Sequence, residues 1–149
     1  MISKNFGKIF WLMQKTTRVD VKQIAKVFAN RPKIIAVWLF GSAQKGVLKP
    51  GSDLDLGVLF SSPPTLYQLA DLRADLQQAL QIDEIDLVTL NNASPILRFE
   101  AVSGRSVFCR DAAQKAAFVS LTAREYEDAM AFLQRGLTMT RGQGDKEKG

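Results

Sequence analysis

The chain has 149 residues, 46% hydrophobic and 23% charged, with a formal net charge of +5, which suits one globular domain able to bury about 70% of its unfolded surface. It contains no histidine and one cysteine, Cys109, so Ser-His-Asp and Cys-His catalysis, His-ligated zinc and internal disulfides are excluded. The basic residues are interleaved with acidic ones rather than gathered in a stripe, so direct nucleic-acid binding is not expected and a phosphate-bearing substrate explains the sign equally well.

Met1 to Met13 mixes Lys4 and Lys8 with a short apolar run. That run is too brief for a membrane span and no small-residue cleavage site follows it, so residues 1–19 are read as an N-terminal arm or peripheral helix of a cytoplasmic protein. Asp20 can cap a helix whose apolar positions Val21, Ile24, Ala25, Val27 and Phe28 recur at helical spacing up to Arg31-Pro32. Ile34 to Phe40 is a continuous, β-branched, apolar run, as expected of a strand buried on both faces. Gly41-Ser42 ends it, and a loop with Gly46, Pro50 and Gly51 leads into a second strand, Asp53 to Phe60, broken by Ser61-Ser62-Pro63-Pro64.

Thr65 to Leu80 predicts an amphipathic helix with Leu66, Leu69, Leu72, Leu76 and Leu80 as its core stripe. Ile85 to Leu90 predicts a third strand, preceded by Asp83 and Glu84 as turn residues. Ser94-Pro95 is a cap followed by proline at the first helical position, opening a helix that ends at Gly104. Ser106 to Cys109 is a candidate edge strand, with Cys109 as a small buried hydrophobe. Asp111 to about Leu137 predicts a long helix with Ala117, Leu121, Ala129, Phe132 and Leu133 on its apolar side, and 138–149 a disordered basic tail. The fold class is α/β (α+β), a small mixed sheet with helices packed against it in one domain, 20–137.

The chemistry is concentrated in two places. On a strand, Asp53 and Asp55 project from one face while Leu54 and Leu56 project from the other, and aspartate is a poor strand former that needs a reason to occur there twice. Asp86 sits in Ile85-Asp86-Leu87-Val88 with the same placement. If the two strands are neighbours the three carboxylates converge, and two unit charges about 4 Å apart repel by about 4 kcal/mol at an effective dielectric of about 20. Protons or divalent cations must relieve that repulsion. Hard oxygen ligands without histidine or thiolate point to Mg2+, with Mn2+ as the substitute, the ions that bridge carboxylates to nucleotide phosphates.

Gly41-Ser42 offers the complementary half, a tight turn at a strand end with a hydroxyl and backbone N–H groups for phosphate. Lys45 could neutralise phosphate charge or be a solvated loop lysine. Ser52 could touch phosphate, though the following turn is the favoured use. Trp38 reads as core, Arg98 and Glu100 as surface or interface residues, and Tyr126 as a packing residue.

The run Leu39-Phe40-Gly41-Ser42, ten residues, then Asp53-Leu54-Asp55-Leu56 resembles the minimal nucleotidyltransferase (MNT) branch of the DNA polymerase β-like superfamily. By average residue usage four such fixed positions arise by chance in a chain of this length on the order of one time in a thousand. The stretch from Asp86 through Pro95, Leu97, Arg98, Glu100 and Gly104 to Tyr126 and Asp128 is similar to MntA-type antitoxins of HEPN/MNT toxin–antitoxin pairs. The resemblance covers about residues 20–135.

It implies a nucleotidyltransferase fold, metal ligation by Asp53, Asp55 and Asp86, and triphosphate binding by Gly41 and Ser42. It also implies transfer of AMP from ATP to a tyrosine of a HEPN ribonuclease toxin, held with the antitoxin in a hetero-oligomer. In that assignment Asp86 completes the site of the metal that activates the acceptor hydroxyl and could accept its proton. Many relatives carry arginine where Lys45 stands; lysine keeps the charge but loses the bidentate fork. Two other classes fit less well: transfer to a small aminoglycoside-like acceptor, for which no acidic pocket is evident, and a purely steric antitoxin, which would have no use for three repelling carboxylates.

Overall fold

The computed structural model describes residues 16–148, so most of the expected N-terminal arm lies outside the described residues. Within the described part, Thr17–Arg18 (β1) pairs antiparallel with Val47–Leu48 (β3) inside the loop that follows Gly41-Ser42. Strands of two residues are too short to leave a periodic signal, which is why the sequence reads as an arm or peripheral helix at Thr17–Arg18 and as loop at Val47–Leu48. Helix α1, Val21–Ala29, is capped by Asp20, whose side chain accepts the Lys22 and Gln23 N–H groups.

The central sheet has the order β5-β4-β2-β6, built from β2 (Ile34–Phe40), β4 (Leu54–Phe60), β5 (Ile85–Thr89) and β6 (Arg105–Cys109). Strand β4 runs antiparallel to β2 and parallel to β5, and β6 lies antiparallel on the far side of β2, so the sheet is mixed, as expected. Every residue of β2 is buried, which its unbroken apolar run requires.

One face of the sheet packs on α1 and on α2 (Leu66–Leu80), through Ile24, Phe28, Leu72 and Leu76 against Val37, Leu39, Leu54, Leu56 and Val58. The other face carries Ala36, Trp38, Phe40 and Leu59. It packs on α3 (Pro95–Val102) and α4 (Ala112–Lys148) through Leu97, Ala101, Phe118 and Val119. Helix α2 opens with a capping box between Thr65 and Gln68, and α3 with the expected Ser94 cap and Pro95. Gly57 lets α3 lie close on β4: a Cβ there would stand 2.9 Å from that of Ala101, closer than two carbons can pack.

Several sequence expectations are corrected. Leu66, assigned to the core stripe of α2, is exposed, because as the first helical residue it precedes the turn that reaches the sheet; Leu69, Leu72, Leu76 and Leu80 do pack on the core. Cys109 is exposed rather than buried, at the end of a strand that lies at the sheet edge among the described residues. Helix α4 meets the rest of the molecule through Phe118, Val119 and Tyr126 with Thr122 fully buried. Of the apolar side read from sequence, Ala117, Leu121, Phe132 and Leu133 are exposed. A long helix with apolar residues on several sides offers more than one stripe, and the position of α3 chose among them. The same helix continues to Lys148 where a disordered tail was expected after 137.

Candidate active site at the Gly41 end of the sheet

Strand register brings the carboxylates together. Asp55 pairs with Phe40 across β2 and with Asp86 across the parallel β5. Residues paired this way project to the same side of a sheet. Two residues along, Gly57 on the same side touches α3, so Asp55 and Asp86 face the α3 side. Asp53 precedes β4, which begins at Leu54, and is exposed, as is Asp86; Asp55 is half-buried. Leu54 and Leu56 point to the opposite core and are fully buried. The alternation of the Asp-Leu-Asp-Leu segment thus sorts charge from core.

The carboxyl of Asp55 is pushed above its ordinary value, first by burial and then by the negative charges of Asp86, Asp53 and Glu100. None of these four acids is in an ion pair among the described residues. Nor do any three Asp, Glu or Cys side chains among the described residues close into a metal-holding cluster. The donors nevertheless suit a hard divalent cation: they are all carboxylate oxygens, Asp55 and Asp86 are already adjacent in register, and their mutual repulsion is what a cation would relieve.

Gly41 is required by the same geometry. Its φ of +75° is a left-handed conformation, and a Cβ at this position would overlap the Asp55 Oδ2 atom, so only glycine lets the turn close over that carboxylate. Gly41–Ala43 form a single 3-10 turn directly after β2, with Ser42 exposed and Ala43 buried. Lys45 is exposed in the turn that follows. Ser52 belongs to a different turn, its N–H donating to the Lys49 carbonyl, and lines a separate hollow with Asp83 and Glu84. The structure therefore gathers Gly41, Asp53, Asp55 and Asp86, leaves Ser42 and Lys45 on the adjoining turn, and puts Ser52 in its own turn.

Of the two residues read as surface or interface positions, Arg98 is partly buried and Glu100 is exposed. The Arg98 guanidinium donates to the carbonyls of Leu90 and Asn91 at 2.7 and 2.6 Å and to Glu125 at 3.2 Å, tying the β5–α3 turn to α4. Glu100, on α3, is the fourth acid near Asp55. Sequence reasoning missed it, because a lone glutamate on a helix carries no spacing signal; only the α3–β4 packing brings it there. Beside the acids lies an open cleft of about 430 Å³, lined among others by Phe40, Gly41, Gln44, Phe99, Glu100 and Tyr126.

A mixed sheet with a glycine turn at the end of one strand and paired aspartates on the next two is the arrangement of a nucleotidyl-transferring fold. The model of the family described as polymerase beta, nucleotidyltransferase matches residues 22–113, well over half of the chain, and this protein belongs to that family. It is 38% identical over 76 residues to the protein adenylyltransferase MntA of Shewanella oneidensis, a match that takes in 50% of this chain and 52% of that protein; it thus spans about half the length of this curated relative. Among solved structures it is similar to a mutant of the toxin–antitoxin MntA–HpeT, with a TM-score of 0.71 and 25% identity. That match covers 83% of this chain and 99% of the other. A toxin–antitoxin structure with AMP-PNP matches with a TM-score of 0.69, 25% identity and the same coverage.

Proposed function

We propose that this protein is an antitoxin that transfers AMP from ATP to a tyrosine hydroxyl of a cognate HEPN ribonuclease toxin, neutralising it. The observation that carries the reading is the Asp55–Asp86 register beside the Gly41 turn: unpaired carboxylates are held together against their own repulsion, next to a turn suited to phosphate. The adenylyltransferase name of the Shewanella relative and the AMP-PNP in a similar toxin–antitoxin structure support ATP as donor and a toxin as partner.

In this reading Asp53, Asp55 and Asp86 hold two Mg2+ ions, with Asp86 completing the acceptor side. Bound there, the metal would offset the triphosphate charge and make the acceptor hydroxyl more acidic. Gly41 and Ser42 bind the triphosphate through backbone N–H groups and the Ser42 hydroxyl, and Lys45 adds positive charge at the exposed side of that turn. Ser52 holds the loop that delivers Asp53. The toxin supplies the wall that so small a domain lacks, in a hetero-oligomer in the bacterial cytoplasm. No helix among the described residues is long and apolar enough to cross a membrane.

Intact-mass spectrometry of the toxin after incubation with this protein, ATP and Mg2+ tests the reading. The toxin should gain one or more AMP units, and the gain should vanish with Asp53→Asn/Asp55→Asn. An unchanged mass alongside full neutralisation by the double variant would replace transfer with steric inhibition.

A further inference from the structure

The cleft beside the acids has a composition of its own. Among the described residues, those lining it include no lysine or arginine, which suits it poorly to a triphosphate. It contains one carboxylate, Glu100, which makes no hydrogen bond or ion pair among the described residues. Nearby, Arg98 is fully committed to carbonyls and to Glu125. Its wall is an aromatic pair, Phe99 of α3 stacked on Tyr126 of α4 with ring centroids 3.9 Å apart and planes within 10°. Its rim is Gly41, the turn that closes over Asp55. An unpaired acid and an aromatic wall fit a ring bearing a hydrogen-bond donor, phenolic or cationic, and the tyrosine acceptor of the adenylyl-transfer reading selects the phenol.

We propose that this cleft is the acceptor subsite, that it takes a phenolic side chain against Phe99 and Tyr126, and that Glu100 accepts the hydrogen bond of the phenol hydroxyl. The assignment rests on the adenylyl-transfer reading above. The phenol oxygen forms a bond to the α-phosphorus while the bridging P–O bond to the β-phosphate breaks, and pyrophosphate leaves with that electron pair. The phenol's proton passes along its hydrogen bond to Glu100 rather than to Asp86, which stays among the metal-holding acids. Glu100 is within electrostatic reach of Asp55, so a hydroxyl held by it lies beside the reacting end of the sheet. The carboxylate has a second consequence: it repels polyphosphate, which keeps the nucleotide from occupying the acceptor's place.

The test is steady-state transfer with the full-length protein and the cognate toxin, varying ATP and toxin separately. Glu100 is exposed, so Glu100→Gln should fold like the parent, which thermal melting checks. It should lower kcat/KM for the toxin by about 100-fold, the scale of a lost general base, while KM for ATP stays within about twofold or falls. Tyr126→Leu should raise KM for the toxin and leave KM for ATP alone. A rise in KM for ATP with toxin kinetics intact would make the cleft a nucleoside site and overturn the assignment, as would unchanged kinetics in both variants. Absence of transfer by the unsubstituted protein would instead sink the transfer reading, and this inference with it.

Discussion

The two ends of the sheet use charge in opposite ways. At the Gly41 end, Asp53, Asp55, Asp86 and Glu100 stand near one another without ion-pair partners among the described residues. At the opposite end, where β2 begins and β4 finishes, polar groups are matched. The Arg110 guanidinium donates to the carbonyls of Phe28, Ala29, Arg31 and Ile34, and Arg31 pairs with Asp71 and Asp75. Asn91 brackets Phe60 by donating to its carbonyl and accepting its N–H. One end is tied down by its own hydrogen bonds; the other keeps a repulsion that something outside the chain must relieve. The contrast predicts which substitutions separate stability from the proposed transfer.

The largest effect is expected at the glycine turn. Gly41→Ala forces a left-handed alanine against the Asp55 carboxylate, a backbone cost of about 1–3 kcal/mol. Displacing that acid should lower transfer by about 100-fold or more, read from initial rates at saturating ATP. Arg110→Ala should do the reverse. It removes the side-chain donor of four carbonyls, of which those of Phe28 and Arg31 keep a backbone N–H, costing about 1–2 kcal/mol, or about 3 °C or more in Tm for a chain of this length. Transfer per folded molecule should be unchanged, and a loss of activity without a loss of Tm would break the division between the two ends.

A smaller effect follows from Asp55 itself. Its carboxyl titrates above the ordinary 3.8 in the folded state, so the folded chain holds its proton more tightly than the unfolded one does. The destabilisation is therefore absent below about pH 3.8, grows as pH rises toward the folded value, and is complete above it. Asp55→Asn, without added metal, should melt higher than the parent at pH 7, with the gap narrowing as the pH falls toward 3.8. A lower Tm at pH 7 would contradict the repulsion. The smallest effect is expected at the paired end's surface: Asp71→Asn with Asp75→Asn should cost no more than about 1 kcal/mol in urea unfolding, since Arg31 and its partners are partly solvated.

The sequence by itself determined the order of the main elements, because long periodic or β-branched runs such as Ile34–Phe40 and Leu54–Phe60 declare their structure locally. It also exposed Gly41, Asp53, Asp55 and Asp86 as candidates, since a glycine turn and acids within apolar strands contradict local propensity and so stand out. The roles carried by the resemblance, including those of Ser42, Lys45 and Ser52, were legible only as far as the motif extends. What tertiary structure alone decided is contact between distant segments: that β5 lies beside β4 with Asp86 opposite Asp55, that Thr17–Arg18 pairs inside the Gly46 loop, and which side of α4 meets α3. Those outcomes depend on how whole faces fit together. For the same reason Glu100, an ordinary helix residue in sequence, becomes a neighbour of Asp55 only because Gly57 leaves room for α3 to settle on the sheet.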